Sequence, residues 1–315
     1  MKSLLVVMLV ATAGCSNDLP AASFIDKLRV LAVQAESPEM APGDTTALHV
    51  LAVEPLVPSL DGGAPRPLTA VWLACALPAG TLTVEPCTID SVIIGTDLDA
   101  SYSAAADALA GGAASTEVLI TVAVADNDAG ALACIGDIAN NNGLPTDPDH
   151  CVVSLKRLTI SDPAQRTIPA NQNPALADFY ATTPSGFAET LDDGNGVWQF
   201  APGEDKAEWD IAAHRAADAA ERKVDGTYEA LSVSWFTTAG HLDGGRSLYL
   251  PPACNSPTEC PDQLPEDGAD TIWFAPTRDQ ASAVVDAGGV VDFWAVIRDD
   301  RGGVGWRSGS LRVTP

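Results

Sequence analysis

The chain has 315 residues, 46% hydrophobic, 19% charged and only 6% aromatic. That apolar content excludes a disordered chain and is enough for one or two packed cores. With 42 Asp and Glu against 17 Lys and Arg, the net charge is −25. Phosphate is repelled by such a surface, so direct nucleic-acid binding is excluded. Beyond the N-terminus, no apolar run is long enough to span a bilayer as a helix.

The start reads Met1-Lys2-Ser3, then an unbroken apolar run from Leu4 to Val10, then Ala11-Thr12-Ala13-Gly14-Cys15-Ser16. A short cationic segment, a short apolar run and small residues describe an export signal. Ala13-Gly14-Cys15 resembles the bacterial lipobox, with Thr12 where that family usually has Leu. The resemblance implies cleavage before Cys15 and acylation of Cys15, and several acyl chains anchor a protein stably. Ser16 after the cysteine implies, by the enterobacterial sorting pattern, transfer to the outer membrane. Residues 1–14 are then the signal peptide and 15–24 a lipidated tether.

Cysteine use agrees with export. An odd count of seven leaves one unpaired in an exported chain. Setting Cys15 aside leaves Cys75, Cys87, Cys134, Cys151, Cys254 and Cys260. Pairing by neighbourhood joins 75 with 87, 134 with 151 and 254 with 260, although spacing alone leaves the connectivity open. A zinc site would need ligand spacings that are absent, such as C-x-x-C.

From Lys27 the sequence alternates through Val33 as a strand. Turn chemistry follows over Ser37–Asp44, then alternation again from Thr45 to Val53. A Pro/Gly loop over 55–67 precedes a third strand, Leu68–Ala76, carrying Trp72 and Cys75. The Ala-rich stretch 97–112 reads as a short helix or a loop. Val118–Ala125 is a strongly apolar strand, and 126–149 is a long insert rich in Asp, Asn and Gly. Cys151–Ile160 makes the last strand of this half. The Pro/Asn/Gln-rich stretch 163–174 is the expected linker, giving a first domain over 25–162 and a second over 175–315.

In the second half, 203–221 is ambiguous; strand to about Ala213 and a short helix from Ala216 to Arg222 are expected. Strands follow from Tyr228, at Thr271–Phe274, at Val290–Arg298 and from Val304 to Val313, with a hairpin turn at Asp299–Gly303. Short strands separated by turn signals predict an all-β chain of two tandem β-sandwiches with long disulfide-closed loops. The turn Pro38, Pro42, Gly43, Asp44, Thr45 resembles the first inter-strand turn of bacterial immunoglobulin-like domains. The terminal hairpin, with Trp294, Val296, Arg298, Asp299, Arg301, Gly302 and Gly303, resembles that of envelope lipoproteins common in myxobacteria. That resemblance implies fold and location and carries no activity.

Motifs for chemistry are sparse. No nucleophile elbow, zinc-protease helix, P-loop or dinucleotide fingerprint occurs. The four histidines, His49, His150, His214 and His241, are scattered. Acidic loops offer weak calcium candidates: Asp126 and Asp128 with Asp147 and Asp149, and Asp192 with Asp193. Glu266, Asp267 and Asp270 form a third cluster. Calcium wants six or more oxygens, but Asp, Asn and Gly are also what turns use. Of seven tryptophans, Trp72, Trp235, Trp273 and Trp294 lie in apolar strands and read as core. Trp198, Trp209 and Trp306 are freer to face a sugar. Arg298, Asp299 and Arg301 read as a salt-bridged turn or a functional patch.

Taken together, the sequence predicts a lipid-anchored envelope protein with a non-catalytic binding or scaffolding role and no resident cofactor. The membrane is reached through the anchor, and an envelope protein or glycan is the expected partner. A saccharide-binding module is the alternative, recognised by exposed aromatics in one groove. A hydrolase would show a His near a Ser and an Asp in a cleft.

Overall fold

The structure, a computed structural model, describes residues 22–54, 66–77, 85–87, 90–127, 129–141, 144–186, 188–191, 196–199, 207–251, 254–256, 258–286 and 288–314. Cys15, Asp128, Asp192 and Asp193 lie outside these residues. Among the described residues the fold is all-β with two short helices, built as two immunoglobulin-like sandwiches.

The first half contains β1 (Arg29–Ala35), β2 (Glu39–Met40), β3 (Thr45–Val53), β4 (Thr69–Leu77), β5 (Val92–Gly95), β6 (Asp99–Ser103), β7 (Ser115–Ala125), α1 (Gly130–Asn140) and β8 (Cys151–Ser161). One sheet runs β1-β3-β6 and the other β2-β8-β7-β4-β5. The opening strand therefore switches sheets: β1 pairs antiparallel with β3, and β2 pairs parallel with the last strand, β8. The turn after β2 places Gly43 at φ 85°, a left-handed conformation that glycine adopts without steric cost. The Asp44 carboxylate there accepts from the Ala41 amide at 3.0 Å.

The second half repeats this order. It contains β9 (Leu176–Thr182), β10 (Ala188–Thr190), β11 (Gly196–Gln199), β12 (Glu208–Arg215), β13 (Ser232–Thr237), β14 (His241–Leu242), β15 (Arg246–Leu248), β16 (Gly268–Phe274), α2 (Arg278–Asp286), β17 (Val290–Arg298) and β18 (Val304–Thr314). The sheets run β10-β9-β12-β16-β14 and β11-β18-β17-β13-β15. Again a strand near the start, β11, lies parallel to the last, β18. All strand pairs in the four sheets fall within 29–161 or within 176–314.

Each sandwich is centred on a tryptophan from the third core strand. Trp72 on β4 donates its indole N–H to the Asp97 carbonyl at 2.7 Å, and Trp235 on β13 to the Ser247 hydroxyl at 2.9 Å. The second core adds Trp273, edge-on to both Trp209 and Phe293. Trp209, expected to be freer, is 3% exposed. Its alternation on β12 points it inward with Ile211 and Ala213.

Strand β7 departs from simple alternation because its sheet is covered on both faces. Val118, Ile120, Val122 and Val124 pack against the facing sheet. Leu119, Ala123 and Ala125 pack under α1. A near-continuous apolar run is the expected signature of a strand buried on both sides. Helix α1 lies within 126–149, the stretch expected to be a long insert rich in Asp, Asn and Gly. Ala131, Cys134 and Ile138 are its buried face, at the spacing of a helical stripe. Disulfides Cys134–Cys151 and Cys75–Cys87 border this outer layer, and Cys254–Cys260 closes a loop in the second half. These are the neighbourhood pairs.

Two local expectations are corrected. Residues 97–112, read as helix or loop, contain strand β6, because Ala100, Tyr102 and Ala104 alternate into the core. The helix expected at Ala216–Arg222 is a series of turns. There, the buried Arg215 guanidinium takes the Ala216 and Ala217 carbonyls that a helix would need. Helix α2 and strand β5 carried no signal that the sequence reading used.

Candidate functional site at the junction of the sandwiches

The terminal hairpin between β17 and β18 builds the junction between the halves. Asp299 shapes the turn from within: its Oδ1 accepts from the amides of Arg301 (2.8 Å) and Gly303 (2.7 Å). Gly302 sits at φ 100°. A Cβ on Gly303 would overlap the Asp299 carboxylate and the Gln172 carbonyl, so the linker can lie directly on the turn. This is the physical content of the D-x-R-G-G run.

The turn aims Arg301 at three carboxylates from three segments. Its guanidinium reaches Glu39 of β2 at 2.9 Å, Glu229 at 3.1 Å and Glu221 at 3.3 Å. Glu39 also accepts from the Ser161 hydroxyl, the Asn171 amide and Arg166. Burial pushes Glu39 up, but these hydrogen bonds and the two cations outweigh it and hold the carboxyl below the usual range. Burial dominates at Glu229, whose side chain is fully enclosed, and with Asp299 nearby pushes it up to about 7. Glu221 is raised for the same first cause.

Backbone and apolar contacts complete the junction. Arg298 donates to the Leu31 carbonyl at 2.6 Å and Gln34 to the Val304 carbonyl at 2.6 Å. Linker residue Asn173 donates to the Ala35 carbonyl and accepts from the Val304 amide. Ile25, Leu31 and Ala32 pack with Trp294, Val296 and Val304 in one shared cluster. The first described residues join the second half: Phe24 bridges to Thr237 of β13, and the Ile25 amide donates to the Thr237 carbonyl. The linker expected at 163–174 is thus held against both halves.

Beside this clamp lies a cavity of about 610 Å³, lined by β1, β8 and the terminal hairpin. A second, more apolar cavity of about 610 Å³ opens between β5 and β6, with Tyr102 in its wall.

The sequence-nominated sites are dispersed. Asp126 is buried and paired: His150 Nδ1 lies 2.8 Å from its Oδ1, and Arg66 3.3 Å from its Oδ2. Asp149 is exposed and pairs with Lys27 at 2.6 Å, and Asp147 is exposed beside it. Asp267 pairs with the buried Arg215. Among the described residues, no group of three or more His, Cys, Asp or Glu is arranged to hold a metal. His49 sits 2.7 Å from Asp99, and His241 stacks on Phe274. His214 is held at Nδ1 by Asp178 at 2.7 Å, with the Tyr180 hydroxyl 3.4 Å from Nε2. The group facing the free nitrogen is therefore a phenol. Arg298, Asp299 and Arg301 come together, as a junction rather than a surface patch. Sequence reasoning missed Lys156, Glu39 and Glu229, whose partners Gly302, Arg301 and Arg301 lie 146, 262 and 72 residues away.

No family model matches the chain, and no curated protein matches it. The chain has distant likenesses among solved structures. Dimeric latent PorU from Porphyromonas gingivalis aligns at 9% identity and a TM-score of 0.21, over 91% of this chain and 24% of that one. Salmonella α2-macroglobulin reacted with methylamine aligns at 10% identity and a TM-score of 0.23, over 91% of this chain and 17% of that one. The chain therefore spans a quarter or less of either, and likenesses at this level carry no argument about its activity.

Proposed function

We propose that this chain is an exported, lipid-anchored envelope protein with a non-catalytic binding or scaffolding role. One observation carries the reading: three disulfides take up Cys75, Cys87, Cys134, Cys151, Cys254 and Cys260, leaving Cys15 directly behind a stretch that reads as an export signal. Such bonds persist in oxidising compartments. The clamp at Arg301 suits a scaffold, since it presents the loops of both halves in one fixed relation. By the Ser16 pattern the outer membrane is the proposed location, and an envelope protein the proposed partner. Trp72, Trp209, Trp235, Trp273 and Trp294 are buried, which takes these five rings out of reach of a sugar.

The test is Cys15→Ala in cells fed labelled palmitate. The native chain should take up label and sediment with membranes, and the variant should be unlabelled and soluble. A variant that still sediments and takes up as much palmitate defeats the anchor. Crosslinking in intact cells, with capture and mass spectrometry, then tests for a dominant protein partner.

A further inference from the structure

The cavity of about 610 Å³ beside the clamp is unusual for so acidic a chain. Its charged lining is Lys156, Arg157, Arg298 and Arg301 against Glu117 and Asp300. The acids there are already engaged. Glu117 lies 3.2 Å from Arg157, and Asp300 lies 2.9 Å from Lys223. Arg301 is committed to its three glutamates.

Among the described residues, two cations of this lining have no carboxylate in ion-pair reach, Lys156 and Arg298. Lys156 is 6% exposed. Its ammonium donates to the Gly302 carbonyl, and its other two N–H donors have no acceptor among the described residues. Asp299 is the acid whose charge attracts it, and Arg298 repels it. Arg298 spends its donors on neutral acceptors, the Ser234 hydroxyl at 3.1 Å and the Leu31 carbonyl at 2.6 Å. Burial first, and Arg298 with it, pull Lys156 down to about 8. Burial and Arg246 lower Arg298 as well.

Burying a cation without a counter-ion is costly, so such groups are normally paired. Here the buried Lys156 and the half-buried Arg298 share one cavity wall and lack an anion paired with them among the described residues. The volume falls in the range of small-ligand sites. We propose that this cavity is a binding site for a small ligand carrying an oxyanion, held by Lys156 and Arg298 between the two sandwiches. A phosphate group or the carboxylate of an acidic sugar would supply the same acceptor oxygens. The inference stands apart from the lipid anchor, because it rests on residues 154–159 and 298–304 and not on where the chain resides.

Isothermal titration at constant ionic strength tests it, with inorganic phosphate, glucuronate and uncharged glucose as probes. Phosphate or glucuronate should give a saturable heat, and glucose none. Binding of one anion but not the other identifies the oxyanion, and binding of both with mutual competition shows one shared site. Lys156→Met fills the same space without charge and should weaken binding by about ten-fold or more, the loss of one charge-assisted contact. Three results overturn the proposal: no saturable heat from either anion with the native chain, equal affinity in Lys156→Met, or glucose binding as well as glucuronate. The first needs no variant to fold.

Discussion

At the scale of single residues, the junction is an electrostatic balance around Arg301. Glu39 and Glu229 meet the same guanidinium yet titrate in opposite directions. Hydrogen bonds from Ser161 and Asn171 and a second cation, Arg166, favour the charged form of Glu39. Glu229 lies deeper and has Asp299 for company. A carboxyl raised to about 7 from an ordinary 4.5 takes up protons on folding. Its contribution to stability is full below about pH 4.5 and is lost as pH rises through about 7. Glu39 works the other way: its contribution is present above its ordinary value and is lost as pH falls through its lowered one. The native chain should therefore lose melting temperature between about pH 5 and 7.5. Glu229→Gln, which cannot ionise, should flatten that slope. An unchanged slope in scanning calorimetry across that window would show that Glu229 ionises normally. None of this was visible in sequence, where Glu39 belongs to a turn and Glu229 to an ordinary strand approach.

At the scale of elements, legibility followed pattern strength. The terminal strands β17 and β18 and the apolar β7 stand out by composition, since β-branched and aromatic residues fit a pleated surface. Strand β6 did not, because its inward residues are Ala100, Tyr102 and Ala104, and two alanines leave a faint alternation. Helix α1 was masked by the Asp, Asn and Gly that flank it, although Ala131, Cys134 and Ile138 mark its face. Its placement depends on the link to β8, since Cys134 and Cys151 are separated by 17 residues. Closing a loop of that size contributes about 3 kcal/mol in the chain-entropy account. The double substitution Cys134→Ala with Cys151→Ala should lower the unfolding free energy by about that much in a urea titration. Amide exchange should quicken first in α1, while β12 and β16 keep their protection. Equal loss of protection in both halves would mean that α1 is not the element the disulfide holds.

At the scale of the whole molecule, the two sandwiches share one strand order without a recognisable sequence repeat. Each puts a tryptophan on its third core strand and a strand parallel to its last. The halves meet through a shared apolar cluster, a pinned linker and the Arg301 clamp. Arg301 is therefore expected to couple them. Arg301→Ala leaves Glu229 buried without its cation, which typically costs about 3–5 kcal/mol. The native chain should unfold in one calorimetric transition, and the variant should melt lower and split into two. A native chain that already shows two transitions, or a variant that melts unchanged, would place the coupling elsewhere.

Sequence alone determined the fold class and most strands, and it suggested the neighbour pairing of cysteines that the disulfides adopt. These depend on local alternation, turn residues and spacing, which a linear reading can follow. It also flagged the D-x-R-G-G hairpin, but not what the hairpin does. Tertiary structure decided the rest. It turned Asp126 and Trp209 inward, covered the outer face of β7 with α1, and carried Arg301 to Glu39 across 262 positions of chain. It also set Lys156 and Arg298 side by side over a cavity. Burial and long-range pairing set the charge state and the partner of such groups, and neither quantity is a property of neighbours in sequence.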